Sequence, residues 1–287
     1  MESEIYIKHM QEEDLPAAMA LKAAEGWNQT EADWKLFLGG DPRLCLVARK
    51  EGKTVATVTA FAYDTKLAWI GMMLVQQEFR RRGISKRLML ELIDRLSDRQ
   101  TIKLDATPAG QAVYEKLGFR KEYSLFRWTR KPAPFSEQRG LPASVFPLES
   151  VGPGEIASYD TPIFGTNREI VLSHVMATFP EGAYVAKDQE RINGFLLSRK
   201  GSKYLQLGPM VAENDGVAKK LLRSAILEWG TGMELVLDMA SERLEMNSWL
   251  KEQGFTQQRE LVRMYLHANH CPGLPHKYYL ITGPELG

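Results

Sequence analysis

The chain has 287 residues, 44% hydrophobic and 25% charged, with a formal net charge of +1. This suits a soluble globular protein of one large domain or two ordinary ones, and it excludes bulk attraction to nucleic acid or an anionic membrane. The longest apolar run, near "AWIGMMLV", is too short to span a bilayer, and "MESEIYIK" carries no signal segment, so a reducing cytoplasm is the expected compartment.

In chain order, "EIYIKHM" alternates as a strand does, and "EEDLPAAMALKAAEG" has the early acids and closing glycine of a helix. "TEADWKLFL" predicts a second helix, boxed by Thr30 and Asp33. Three strands follow through "MMLV", turning at Glu51-Gly52 and near Asp64. After Gly83, Ile84, Leu88, Leu92 and Leu96 form the apolar stripe of a helix. "TIKLDA" reads as a buried strand, "AGQAVYEKLGF" as a short helix ended by Gly118, and "RKEYSLFRW" as another strand. The proline-rich stretch "KPAPFSEQRGLPASVFP" reads as a linker.

Beyond it the pattern returns. "GISKRLMLELI" aligns with "GVAKKLLRSAI", and Asp105 of "IKLD" with Asp238 of "LVLD", both 133 residues on. Gly118-Phe119, Leu125 and Arg127 meet Gly254-Phe255, Leu261 and Arg263, each 136 residues on. With Val47-Ala48 meeting Val185-Ala186, 138 residues on, four ordered matches imply two copies of one fold.

"FRRRGIS" places three arginines between a strand and a helix. The first N–H groups of a helix have no intrahelical partner, and the helix dipole adds positive potential there. A pyrophosphate is one natural occupant, with Gly83 allowing close approach and Ser85 keeping the next position small. On charge alone, a solvated basic turn and an anion site are equally open.

Arg80-x-x-Gly83-x-Ser85, between a strand and a helix, resembles the [Q/R]-x-x-G-x-[G/A] signature of the GNAT acyltransferases, with Ser85 in place of the commoner Gly or Ala. "AVYEKLGF" resembles the family's other common element. The resemblance covers roughly residues 4 to 129, and the whole chain resembles a two-domain subgroup whose second domain is a diverged copy. It implies an α/β mixed-sheet protein of tandem folds: a catalytic domain over 1–130, a linker over 131–146 and a diverged domain over 147–287.

It further implies acetyl-CoA as cosubstrate, with no metal. Arg80, Arg81, Arg82, Gly83, Ile84, Ser85 and Lys86 would surround its pyrophosphate, and the main chain of Met73, Leu74 and Val75 would pair with the pantetheine arm. A bulge in that strand would aim an N–H at the thioester oxygen. Tyr114 occupies the general-acid position, against the plainer alternative of a packing tyrosine. Asp105 is a candidate base, or a structural cap.

In the second copy Glu213 and Asp215 replace the arginines, and Leu250 stands opposite Tyr114, so no second cofactor site is expected. That half is left with three roles: completing the acceptor pocket, mediating a homodimer, or stabilising. Trp27, Asn28 and Trp34, in the region that lines the acceptor site in the family, are acceptor candidates, with Tyr159, Asp160, Arg168 and Asp238 from the second half. Acids with aromatics suit a cationic small-molecule amine. The rival functions are a non-catalytic acyl-CoA sensor and a tRNA-dependent transferase, the latter disfavoured by the absence of a basic strip. His267, His270, Cys271 and His276 match no standard zinc spacing.

Overall fold

The computed structural model describes residues 4–134 and 142–287. Its first half runs β1 (Tyr6–His9), α1 (Leu15–Ala24), α2 (Glu31–Gly39), β2 (Cys45–Lys50), β3 (Lys53–Ala62), β4 (Leu67–Val75), α3 (Ile84–Arg95), β5 (Thr101–Ala106), α4 (Pro108–Glu115) and β6 (Arg120–Arg130). The second runs β7 (Val145–Pro147), α5 (Pro153–Phe164), α6 (Glu169–Thr178), β8 (Tyr184–Asp188), β9 (Arg191–Lys200), β10 (Leu205–Ala212), α7 (Asp215–Trp229), β11 (Leu235–Ala240), α8 (Leu244–Glu252), β12 (Thr256–His267) and β13 (Tyr278–Leu280).

The expected elements of the first half are all present. Thr30 and Asp33 form the reciprocal capping box of α2. Glu51 and Gly52 turn the chain with φ of 51° and 78°. The internal repeat is visible in the backbone: Phe119 N–H bonds to Tyr114 O, and Phe255 N–H to Leu250 O, closing α4 and α8 in the same way. The end of the expected linker is ordered, because Val145–Pro147 pairs with β8 as an edge strand.

One continuous mixed sheet carries both halves, in the order β1-β2-β3-β4-β5-β12-β6-β11-β13-β10-β9-β8-β7. Each half has lent its last long strand to the other. β12 pairs antiparallel with β5, β6 pairs antiparallel with β11, and the two borrowed strands pair with each other at the centre. The halves therefore share one sheet, where the repeat pattern alone suggests two neighbouring ones.

The helices cover both faces. Under α3, Ile84, Leu88, Met89 and Leu92 pack on β2, β3 and β5, and Met264 and Leu266 of the borrowed β12 join that core. Under α7, Leu221, Leu222 and Ala225 make the equivalent core, joined by Trp128 of β6. At about 25 cal/mol per Å² of apolar surface buried, these borrowed side chains tie the stability of each half to the other. Cys45 is fully buried core, as its apolar setting implies. Among the described residues no helix is long and apolar enough to cross a membrane.

Candidate active site

β4 and β5 run parallel only through the pairs Leu67–Thr101, Ala68–Ile102 and Trp69–Lys103. Beyond Trp69 they part, and a cavity of about 100 Å³ opens in the gap. The first half contributes Gly71, Met72, Met73, Asp105 and Tyr114 to its walls, and the second half Arg199, Gln206, Arg259 and Glu285.

β4 is bulged at this gap. Thr57 pairs with Leu74 and Thr59 with Gly71, so Met72 and Met73 together face the single residue Val58. Met72 holds φ +53°, and Thr57 Oγ1 donates to its carbonyl at 2.8 Å. A non-glycine residue in the left-handed region is an uncommon conformation, held here by that side-chain bond. Met73 lines the cavity, the Leu74 side chain is buried in the core, and Val75 is half-buried at the strand's end.

The arginine turn lies beyond that end. Gly83 is the N-cap of α3 with φ +76°. A Cβ there would meet no protein atom, so glycine is required by the dihedral, and crowding by the protein plays no part. The first backbone bond of α3 runs from Arg87 N–H to Gly83 O, leaving the N–H groups of Ile84, Ser85 and Lys86 without intrahelical acceptors. The three arginines differ. Arg80 braces the turn, donating to Val75 O at 3.1 Å and pairing with Glu25. Arg82 lies 5.5 Å over the Phe79 ring, and Arg81 is exposed with φ +62°.

Tyr114 reaches the cavity from α4, and its phenol makes no hydrogen bond among the described residues. Burial pushes its phenol up to about 12, so it holds its proton at neutral pH. Asp105 is at the cavity wall, but both its oxygens accept from Arg263 at 2.9 Å. Burial pushes its carboxyl up against the pull of Arg263. As an acceptor of a substrate proton it would first have to release that guanidinium.

Of the acceptor candidates, Trp27 and Asn28 line the cavity. Asn28 is fully engaged in structure: its amide donates to Tyr204 O and accepts from the N–H groups of Lys203 and Tyr204. Asp238 stands behind the wall, held by Arg127 through two 2.7 Å bonds. Trp34, Tyr159 and Asp160 are elsewhere: Trp34 is a buried core residue under α2, Tyr159 packs edge-on to Phe195, and Asp160 is clasped by Arg168 at 2.7 and 2.8 Å. Sequence reasoning missed Gln29, Arg199, Gln206, Arg259 and Glu285. The repeat flagged Arg127 and Arg263, but nothing in "GPELG" marks Glu285 as a site residue.

The matching gap in the second half is filled. β10 bulges at Gly208-Pro209 opposite Leu197, as β4 does at Met72-Met73. β13 lies between β10 and β11, with Leu280 paired to Met210 and Met239. A Cβ on Gly208 would stand 2.1 Å from Ile281 O, so the filling strand presses against the bulge. Pro209 has no N–H to offer an oxyanion. The turn before α7 is closed as well: Asn214 caps Val217 N–H at 3.1 Å, Glu213 pairs with Arg191 at 2.6 Å, and Asp215 accepts from Tyr279 at 2.5 Å. Among the described residues no cluster of His, Cys, Asp and Glu could hold a metal ion.

Comparison with known proteins agrees with this geometry. The Acetyltransferase (GNAT) family matches residues 7–119, and the Acetyltransferase (GNAT) domain matches residues 156–280. The holothin acyltransferase of Pseudoalteromonas sp. is 25% identical over 264 residues, covering 92% of this chain and 88% of its own. A putative acetyltransferase from Pyrococcus horikoshii superposes with a TM-score of 0.81 at 24% identity, covering 99% of this chain and 96% of its own. A tandem GNAT protein from the clavulanic acid biosynthesis pathway superposes at 0.64 with 18% identity, covering 91% and 98%. The chain belongs to the GNAT acetyltransferase superfamily, as an enzyme built of two GNAT domains.

Proposed function

We propose that the protein transfers acetyl from acetyl-CoA to a primary amine of a small molecule, by direct attack in a ternary complex. The observation that carries this reading is a convergence. The parted strands, the bulge at Met72-Met73 and the proton-bearing Tyr114 meet at one cavity, and the open N-terminus of α3 follows directly from the same strand. The first half, residues 1–130, supplies the cofactor side, and the second half, residues 147–287, supplies the far wall of the acceptor site.

Acetyl-CoA suits the residues present. Its pyrophosphate would take the N–H groups of Ile84, Ser85 and Lys86, with Arg81 and Arg82 adding charge and Arg80 holding the turn. Its pantetheine arm would lie in the gap beside Met73–Val75. The bulged peptide would then meet the thioester oxygen, where a positioned donor stabilises the tetrahedral oxyanion. The acceptor ammonium loses one proton, and its nitrogen attacks the carbonyl carbon. As the C–S bond breaks, the nitrogen loses a second proton and Tyr114 protonates the thiolate. Per turnover an ammonium and acetyl-CoA become an amide, CoA thiol and one proton. A small-molecule acceptor is supported by the relative named for acyl transfer to holothin.

Calorimetric titration with acetyl-CoA, followed by thiol detection across an amine panel, tests the reading. One site per chain and CoA release with an amine are expected. Binding without turnover by any amine would favour an acyl-CoA sensor, and two sites would contradict the filled second gap.

A further inference from the structure

Three residues that line this cavity each carry a buried polar atom without a hydrogen-bond partner among the described residues: Gln29 Oε1, Arg259 Nε and Glu285 Oε2. Buried polar groups are ordinarily paired, so three orphans on one wall set mark groups that await a ligand. Their charges are arranged in two places. Arg199 donates to Asp33 at 2.5 Å and to Glu285 at 2.6 Å, so one guanidinium is shared by two buried carboxylates. His174 Nε2 stands 3.8 Å from Asp33, within ion-pair distance. Asp238 is taken up by Arg127. Arg259, half-buried and directly across the sheet from Arg127, makes no ion pair with a carboxylate among the described residues. A half-buried guanidinium without an ion pair, and a buried carboxylate that shares its guanidinium, would each gain from a bound counter-charge.

Resting on the acetyltransferase reading above, we infer that the acceptor is an amine that also bears a carboxylate, an amino-acid-type zwitterion, with Glu285 and Gln29 holding the ammonium and Arg259 the carboxylate. The two orphan acceptors match the N–H donors of an ammonium. Arg259 supplies the planar donor set that suits a carboxylate. Glu285 Oε2, whose partner oxygen stays on Arg199, takes the proton the ammonium must lose before attack. The proton leaves to solvent after product release, so no further reactant is needed.

Matched pairs test this: β-alanine against n-propylamine, and L-leucine against isoamylamine, each with acetyl-CoA and thiol detection. The amino acid of at least one pair should have a kcat/KM higher by about tenfold or more, as a lost charged hydrogen bond implies. Arg259→Gln should bring that ratio near one. Glu285→Gln should lower kcat for the preferred amine about a hundredfold. Calorimetry should show unaltered acetyl-CoA affinity in both variants, which separates these effects from misfolding. Ratios at or below one in every pair, or no turnover by a protein that binds acetyl-CoA, overturn the zwitterion inference and leave cofactor binding standing. Loss of acetyl-CoA binding by the unaltered protein overturns both.

Discussion

Arg263 of β12 grips Asp105 of β5 through two bonds of 2.9 Å, although the two residues belong to opposite halves of the chain. Their counterparts in the repeat, Arg127 and Asp238, make the reciprocal pair at 2.7 Å. In each case the arginine rides on the exchanged strand and the aspartate on the strand that receives it. The two ion pairs thus lock the exchange from both directions.

Breaking one of these pairs should be far more harmful than removing it whole. Arg263→Met strands a buried carboxylate and is expected to cost about 3–5 kcal/mol, whereas Arg263→Met with Asp105→Leu should recover much of it. Urea unfolding of the single and double variants measures both. A single variant within 1 kcal/mol of the parent protein would show the pair to be idle, on the order of a surface bridge.

At the arginine turn, Gly83→Val forces a β-branched residue to φ +76° and should weaken acetyl-CoA binding sharply. Arg82→Glu should do likewise by charge. Asp215→Arg in the second half should not create a second site, because β13 already occupies the gap beyond it. Calorimetric stoichiometry and affinity read all three.

Tyr114→Phe should lower kcat about 10- to 100-fold with little change in KM, since the proposed role of the phenol is to protonate the departing thiolate. The pH dependence follows from burial. Tyr114, at about 12, and the half-buried Tyr63 and Tyr123 all sit above the ordinary tyrosine value of 10.0. The folded state therefore retains protons that the unfolded chain loses. Their contribution to stability is complete below about pH 10 and falls as pH rises through the folded values. Thermal melts between pH 8 and 11.5 should show Tm steady at first and then declining.

Gly71 faces the segment that carries Glu285: a Cβ there would lie 2.7 Å from Glu285 Cα. Trp69 Nε1 donates to Pro284 O at 3.1 Å and Tyr63 donates to Leu286 O, so the segment is fastened on both sides. Gly71→Ala should displace it, raising KM for the amine several-fold while acetyl-CoA affinity stays within about twofold. Equal losses for both ligands would place the defect in β4 itself.

Local chemistry made much of this protein legible from the chain alone. The α2 capping box, the stripe of α3, the arginine-glycine turn and the two-copy repeat are written in short spacings, because caps, stripes and turns depend on neighbours within a few residues. The acids Glu213 and Asp215, in place of the arginines of the first copy, were visible as well. The strand exchange was not, since β6 and β12 have the same alternating pattern whichever half they pair with, and only the summed packing of both cores selects the partner. The far wall of the cavity was hidden for a related reason. Arg199, Arg259 and Glu285 come from β9, β12 and the segment after β13, and their charges acquire meaning only when the shared sheet brings them to one cavity, where burial makes each unpaired charge count.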